Sequence, residues 1–370
     1  MEWSEYAALR WQVLGAAFAV SIFFGWLVHR SQFCTMGAIN DALNMGDFTR
    51  AQIWASAIGT AALGLWGLHA AAIVDATQSI YASGNIIVVS ALVGGACFGF
   101  GMVLASGCGS KTLVRMGAGS LKSLVVFVVM GISAYATLRG ITAVLRDQTL
   151  DRLAWSADSS LLPVWLANSL GGSVSQWGLG LAAALAAATW GWSLRNADFR
   201  QARPVLTALG VGLAVVAMWW VSGALGFVTE HPQSLEPAFV ATNSQRMESL
   251  TFTAPMAYAL HWLILFSDQS NHLTIAIVSV AGVVIGSLIE NWRAHTFRWE
   301  GFSSTQDTAL HLGGAVLMGF GGVTAMGCTV GQGLSGASTL SITRFLALAG
   351  IIAGGVAGLK FQLWLLMRED

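Results

Sequence analysis

The chain has 370 residues, of which 55% are hydrophobic and only 10% are charged, and its formal net charge is zero. A soluble domain carries about 25% charged residues, so this composition excludes an ordinary soluble protein. Zero net charge also removes bulk electrostatic attraction as an argument for nucleic-acid binding. Apolar runs of about 20 residues recur along the whole length, which is typical of an all-α polytopic membrane protein.

Taken in chain order, the apolar runs predict about nine transmembrane helices. The segment that follows Cys34 and ends at Asp47 is too polar to cross easily, and we expect a loop or a re-entrant piece shielded by protein. Residues 145–175 contain Pro163 and are expected to form an interfacial helix or loop. The apolar runs cover residues 10–28, 51–74, 86–107, 123–144, 176–193, 205–226, 253–267, 273–290, 308–327 and 340–367.

The segment 195–204 contains three arginines in nine residues, Arg195, Arg200 and Arg203. Short loops rich in Lys and Arg stay in the cytoplasm, so this segment predicts a cytoplasmic linker. We expect it to join an N-terminal membrane repeat, residues 1–194, to a C-terminal one, residues 205–370. The same rule places the N-terminus outside.

The strongest signal is an internal duplication. The stretch 92–120 reads LVGGACFGFGMVLASGCGSKTLVRMGAGS, and 220 positions later 312–340 reads LGGAVLMGFGGVTAMGCTVGQGLSGASTL. Nine of the first seventeen positions are identical without gaps. A duplication of this kind predicts two pseudo-symmetric repeats, which we expect to be inverted and to hold the substrate near the bilayer midplane at broken helices.

Each copy is an apolar helix that breaks at Gly-Cys and continues into a polar return. Glycine lets the backbone leave the helix, and the polar residues that follow are costly facing lipid, so a protein-lined cavity suits them. A neutral thiol is a soft, weak donor, which fits a substrate with exposed sulfur better than it fits sulfate or phosphate. The candidate substrate-binding residues are Cys34, Cys108, Cys328, Gly107, Gly109, Gly327, Lys111, Gln332 and Arg30.

Several of these residues have a structural alternative. Lys111 would either attract an anion or snorkel to the inner interface, and Gln332 would either bind substrate or cap a turn. Arg30 fits positive-inside topology as well as it fits substrate attraction. Cys97 is expected to pack only, because its repeat counterpart is Leu317. No zinc spacing and no ATP-binding P-loop motif occur in the sequence, so neither a metal nor a cofactor is expected.

Each of the three cysteines Cys34, Cys108 and Cys328 lies in a recognisable motif. The motifs are Arg30-Ser-Gln-Phe33-Cys34, Ala105-Ser-Gly107-Cys108-Gly-Ser-Lys and Gly319-Phe-Gly-Gly-Val-Thr-Ala325-Met-Gly327-Cys328-Thr-Val-Gly331-Gln. Together they resemble the YeeE/YedE family of sulfur-compound transporters. The resemblance implies an inverted-repeat, hourglass-like fold in the bacterial inner membrane. It further implies that thiosulfate passes along Cys34, Cys108 and Cys328 by S–H···S contacts, without enzymatic chemistry. A small cytoplasmic TusA-like sulfurtransferase is an expected partner.

Two other hypotheses remain open from the sequence. The first is a membrane enzyme that accepts sulfane sulfur as a Cys persulfide and hands it inward, which would need an attackable thiolate. The second is an assembly subunit of a membrane complex in which the thiols merely pack.

Overall fold

The fold is helical throughout, and the computed structural model describes residues 3–268 and 270–369. The strands form two short antiparallel pairs, β1 (Asn85–Ile86) with β2 (Trp155–Ser156) and β3 (Phe227–Val228) with β4 (Ala238–Phe239). The helices are α1 (Trp3–Ser31), α2 (Thr35–Asn40), α3 (Thr49–Ala70), α4 (Val88–Leu104), α5 (Gly109–Gly117), α6 (Leu121–Arg139), α7 (Ile141–Thr149), α8 (Leu162–Leu170), α9 (Val174–Ser193), α10 (Ala202–Trp220), α11 (Thr253–Ile264), α12 (Ile275–Arg293), α13 (Thr305–Thr324) and α14 (Ile342–Glu369).

Seven helical stretches in the described part of the chain are long and apolar enough to cross a membrane, and they contain α1, α3, α4, α6, α10, α12 and α14. Two further helices, α9 and α13, have 20 residues each. The all-α polytopic class is confirmed, and the described part of the chain holds seven candidate membrane-spanning stretches where the sequence predicted about nine. The apolar run 253–267 forms only the 12-residue α11, which is too short to cross alone.

One end of the helix bundle collects cationic side chains. Arg203 donates to the carbonyl of Arg30, and the Arg30 guanidinium lies 4.0 Å from Glu290 at the end of α12. Lys122 at the start of α6 donates to Asp307 at the start of α13 over 2.8 Å. We call this end the basic face and the other end the opposite face. The segment 31–47, whose status the sequence left open, forms α2 and a π-helical turn, Asp41–Met45.

The interface between α4 and α13 lies at the centre of the fold. A Cβ on Gly94 would lie 2.5 Å from the Ala325 nitrogen, and a Cβ on Gly314 would lie 2.6 Å from the Gly101 carbonyl oxygen. Only glycine permits this approach of two backbones. Because rising numbers on α4 meet falling numbers on α13, the two helices run antiparallel. The two helices therefore begin toward opposite faces of the bundle.

The breaks after α4 and α13 have the same backbone geometry. Ser106 and Met326, which the 220-residue offset pairs, both take left-handed conformations, with φ of 56° and 61°. Gly107 donates to the carbonyl of Met102 over 2.8 Å, and Gly327 donates to that of Gly322 over 2.6 Å. The duplicated sequence thus folds into two equivalent helix ends, each followed by a cysteine.

Candidate functional site

The first cysteine-bearing break lies deep in the bundle. Cys108 is 1% exposed and precedes α5, whose first residue Gly109 packs against Met130 in the middle of α6. The Cys108 Sγ lies 3.3 Å from the Ser110 hydroxyl. At its other end α5 reaches the basic face, where Ala118 accepts from the Arg298 nitrogen over 3.3 Å. Therefore α4 and α5 are two halves of one broken helix, and α5 runs from the break deep in the bundle to the basic face.

The second break buries Cys328 completely. Its Sγ accepts from the Gly331 nitrogen at 3.4 Å and lies 3.9 Å from the Thr251 hydroxyl. Gly331 begins the π-helical turn Gly331–Gly336, which takes the place that α5 has in the first copy. The sulfur is thus held among hydrogen-bonding groups and not in a purely apolar pocket.

The three candidate thiols lie in sequence through the fold. Cys34 precedes α2 and is half-buried. The loop that carries Cys34 meets α5, because Lys111 on α5 donates to Gln32. Phe252 connects the deeper pair, because its backbone N–H points at the Cys328 sulfur and its Cβ lies 3.7 Å from the Cβ position of Gly109. The order from the opposite face to the basic face is therefore Cys328, Cys108, Cys34.

A cation borders the basic-face end of this row. Lys111 on α5 is 9% exposed, and its Nζ donates to the Gln32 Oε1 over 2.7 Å. Lys111 lies three residues after Cys108, and its partner Gln32 lies two residues before Cys34. Lys111 therefore stays buried beside two thiols, with its single side-chain hydrogen bond directed toward the basic face.

Two cavities lie at opposite ends of the bundle, and the lining of the first borders Cys328. A cavity of about 580 Å³, the Tyr81 cavity, opens at the opposite face and is lined there by Arg146 and Asp151. It extends inward to Thr251 and Gly327, which border Cys328. A second cavity of about 960 Å³, the Arg30 cavity, lies at the basic face and is lined by residues including His29, Arg30, Gln32, Arg203 and Arg293.

The remaining predicted residues divide between site and support. Gln332 is fully buried and donates to the Ala325 carbonyl over 2.5 Å, so it caps the broken end of α13, while its Oε1 has no partner in the described part of the chain. Arg30 lies away from the thiols, with 57% of its side chain exposed. Cys97, which lies on α4, packs against Gly321 of α13. Gly107 and Gly327 form the two breaks already described.

Two partly buried carboxylates, Asp41 and Glu290, have structural partners. Asp41 lies 3.2 Å from the Arg50 guanidinium. Glu290 accepts from the Trp26 indole over 2.7 Å. Structural pairing therefore accounts for both.

The comparison with known proteins follows this geometry. A family model described as sulphur transport matches residues 30–357. The chain belongs to the sulphur transport family. It is 25% identical to the Escherichia coli (strain K12) thiosulfate transporter TsuA over 89% of each chain. It is 27% identical to a thiosulfate transporter TsuA of Spirochaeta thermophila over 95% of this chain and 98% of that protein. The family identified from the cysteine motifs is thereby confirmed, and the chain is a multi-pass membrane transporter.

Three polar residues at the transporter's Tyr81 cavity were not predicted from sequence. Tyr81, Glu248 and Thr251 come from loops between helices, where polar residues carry no distinguishing pattern. Burial raises the pKa of the Glu248 carboxyl, against the opposing effect of hydrogen bonds from the Ser244 and Asn243 nitrogens. Arg344, by contrast, did carry a signal in the sequence. It is a lone cation near the start of the apolar helix α14, and its repeat counterpart is Leu124.

Proposed function

We propose that the protein carries thiosulfate across the bacterial inner membrane, passing it along Cys328, Cys108 and Cys34 by S–H···S hydrogen bonds. The observation that supports the proposal is that Cys108 and Cys328 are both buried at helix breaks, with Phe252 beside both and with the lining of the Tyr81 cavity reaching Gly327. The names of the two relatives support thiosulfate as the cargo.

The orientation follows from charge. The basic face holds Arg30, Lys122, Arg203 and Arg293, and cytoplasmic segments carry an excess of Lys and Arg. Thiosulfate would therefore enter through the Tyr81 cavity and leave through the Arg30 cavity. Antiparallel packing of α4 and α13 supports an inverted repeat, because a twofold axis that exchanges two antiparallel helices lies in the membrane plane. On this basis the halves 1–194 and 205–370 have opposite orientations, joined by the linker 195–204.

Neutral thiols suit the passage of a soft anion. A neutral S–H donates weakly to the terminal sulfur of thiosulfate and adds no negative charge to the path. Conduction needs binding that is strong enough for entry and weak enough for release, and several weak sites in sequence provide both. The large Arg30 cavity on the cytoplasmic side is the place where a small TusA-like sulfurtransferase would receive the cargo.

The experiment is uptake of labelled thiosulfate as sole sulfur source in cells that lack their own transporters. Cys34, Cys108 and Cys328 are each changed to Ser and to Ala, and Cys97→Ser is the matched control. Hydrogen-bonded passage predicts graded losses, with Ser retaining part of the uptake at one or more positions and Cys97→Ser unchanged. Complete loss with every Ser variant, together with a trapped persulfide in mass spectrometry, would favour the sulfur-transferring enzyme instead. Near-normal uptake in all six variants would indicate that the thiols only pack.

A further inference from the structure

A fully buried arginine lies next to the second break, without a counter-ion among the residues that the structure describes. Arg344, in the first turn of α14, is 0% exposed. Its guanidinium stacks over the Tyr81 ring at 5.0 Å, and one nitrogen lies 3.6 Å from the Met326 sulfur. Its other two nitrogens, Nε and Nη1, have no hydrogen-bond partner among residues 3–268 and 270–369, and no carboxylate in those residues forms an ion pair with it.

An unpaired buried guanidinium is expensive. It loses its hydration without gaining an ion pair, and native structures rarely leave such donors unsatisfied. The planar fork of five N–H donors matches the oxygens of a tetrahedral anion. The vacant donors of Arg344 are therefore suited to an oxyanion that arrives from outside the chain.

Tyr81 connects this guanidinium to the thiol. Its ring lies under Arg344, while its hydroxyl is 3.5 Å from the Cβ position of Gly331, the residue whose nitrogen donates to the Cys328 sulfur. Within the described residues the Tyr81 hydroxyl forms no hydrogen bond, and Tyr81 and Met326 both line the Tyr81 cavity. A hard cationic donor, a hydroxyl donor and a soft thiol thus lie next to residues that line the inner end of one cavity.

Other unpaired polar atoms cluster around the same break. In the described part of the chain, buried side-chain atoms without a partner include those of Thr329, Gln332, Ser341 and Thr343, which lie close in sequence to Cys328 and Arg344. Other such atoms lie elsewhere in the fold, but Arg344 is the residue with two unpartnered donors and a formal charge.

We propose that Arg344 and Tyr81 form an oxyanion subsite at the Tyr81-cavity side of Cys328, which holds the sulfonate end of the anion while Cys328 contacts its terminal sulfur. The inference rests on the proposed thiosulfate transport. The guanidinium attracts any tetrahedral oxyanion, sulfate included, and the thiol distinguishes the anion with an exposed sulfur. Charge and selectivity are then supplied by different residues.

The test measures thiosulfate uptake against concentration, with sulfate as competitor. Arg344→Met is expected to raise the half-saturating thiosulfate concentration on the order of tenfold to a hundredfold, the effect of losing charge-assisted hydrogen bonds. Arg344→Lys should lie in between, because Lys keeps the charge and loses the fork. Tyr81→Phe, which keeps the ring under the guanidinium, should cost severalfold. Arg152→Met at the exposed surface is the matched control and should match the unchanged protein.

A binding measurement on purified protein in detergent separates this inference from the transport proposal. Thiosulfate and sulfate should each raise the thermal unfolding temperature of the unchanged protein, and neither should do so in Arg344→Met. If Arg344→Met does not fold, Arg344→Lys and Tyr81→Phe decide. Unchanged concentration dependence and unchanged anion stabilisation in both would overturn the subsite. Anion stabilisation that depends on Arg344 in a protein without thiosulfate uptake would refute the transport proposal and leave the subsite standing.

Discussion

Removing the ammonium group of Lys111 tests whether the thiol row needs a positive charge at its basic-face end. The change Lys111→Met keeps most of the apolar stem in its buried position and deletes the single hydrogen bond to Gln32. Gln32 is exposed at the basic face, so water can replace the ammonium there. The free energy of unfolding should therefore change by less than about 1 kcal/mol.

The effect on transport should be larger than the effect on stability. An anion that passes between Cys108 and Cys34 meets the Lys111 charge in a buried setting. A hydrogen bond to a charged group contributes about 1.5–3 kcal/mol, which corresponds to about a 10-fold to 150-fold change in an equilibrium or rate constant. We expect the maximal rate of thiosulfate uptake in Lys111→Met to fall by a factor within this range, and Lys111→Arg to retain much of it.

Labelled thiosulfate uptake, normalised to the amount of protein in the membrane, measures this. The matched control is Lys122→Met, because Lys122 is also a partly buried lysine but pairs with Asp307 at the basic face, away from the thiols. Its uptake per molecule should stay close to that of the unchanged protein. Normal rate and normal half-saturating concentration in Lys111→Met would refute the reasoning and reduce Lys111 to a packing residue.

Three further predictions concern pH, packing and sidedness. Glu248 lines the Tyr81 cavity, and burial raises the pKa of its carboxyl. As the external pH falls, this carboxyl becomes neutral at a higher pH than an ordinary glutamate does, and it then repels the anion less. Thiosulfate uptake should therefore rise on mild acidification, and Glu248→Gln should abolish that rise. Gly94→Leu should lower the free energy of unfolding in detergent by about 1–3 kcal/mol, because its Cβ would meet backbone of α13, whereas Gly313→Ala, with open space around it, should not. In intact cells a membrane-impermeant thiol reagent should label Met326→Cys from outside and leave Gln32→Cys unlabelled until the cells are opened; the reverse pattern would invert the proposed orientation.

The helical class and the cysteine-bearing breaks could be predicted from sequence because each depends on local, repeated signals. Long apolar runs require helices in a bilayer, since every backbone group must be bonded internally. The duplication identified Cys108 and Cys328 together, and the same backbone turn at Ser106 and Met326 follows from the same local sequence. Such signals need no knowledge of which helices are neighbours.

The rest of the candidate site depends on tertiary contacts that no local signal encodes. Tyr81 lies in a loop before α4, and Arg344 lies in the last helix, more than 260 positions later. Their stacking is set by the packing of α14 beside α4. Arg30, by contrast, is part of a motif that contains Cys34, and yet its side chain lies on the basic face next to Glu290. A sequence motif does not indicate which of its side chains point toward the thiol.

The two copies of the duplication share a backbone but differ in where they carry charge. The repeat counterpart of Lys111 is Gly331, and a side chain at Gly331 would collide with Thr251, since its Cβ would lie 2.4 Å from that hydroxyl. The counterpart of Arg344 is Leu124, which is 43% exposed on α6, where an arginine would face lipid. Neither cation can therefore be copied to the other half, and the pseudo-symmetry ends at these positions. One cation therefore lies near each end of the thiol row: Arg344, which stacks over Tyr81, and Lys111, which donates to Gln32. An anion moving between them would exchange one counter-charge for the other across neutral thiols, which lowers the electrostatic cost of its passage through the low-dielectric centre of the membrane.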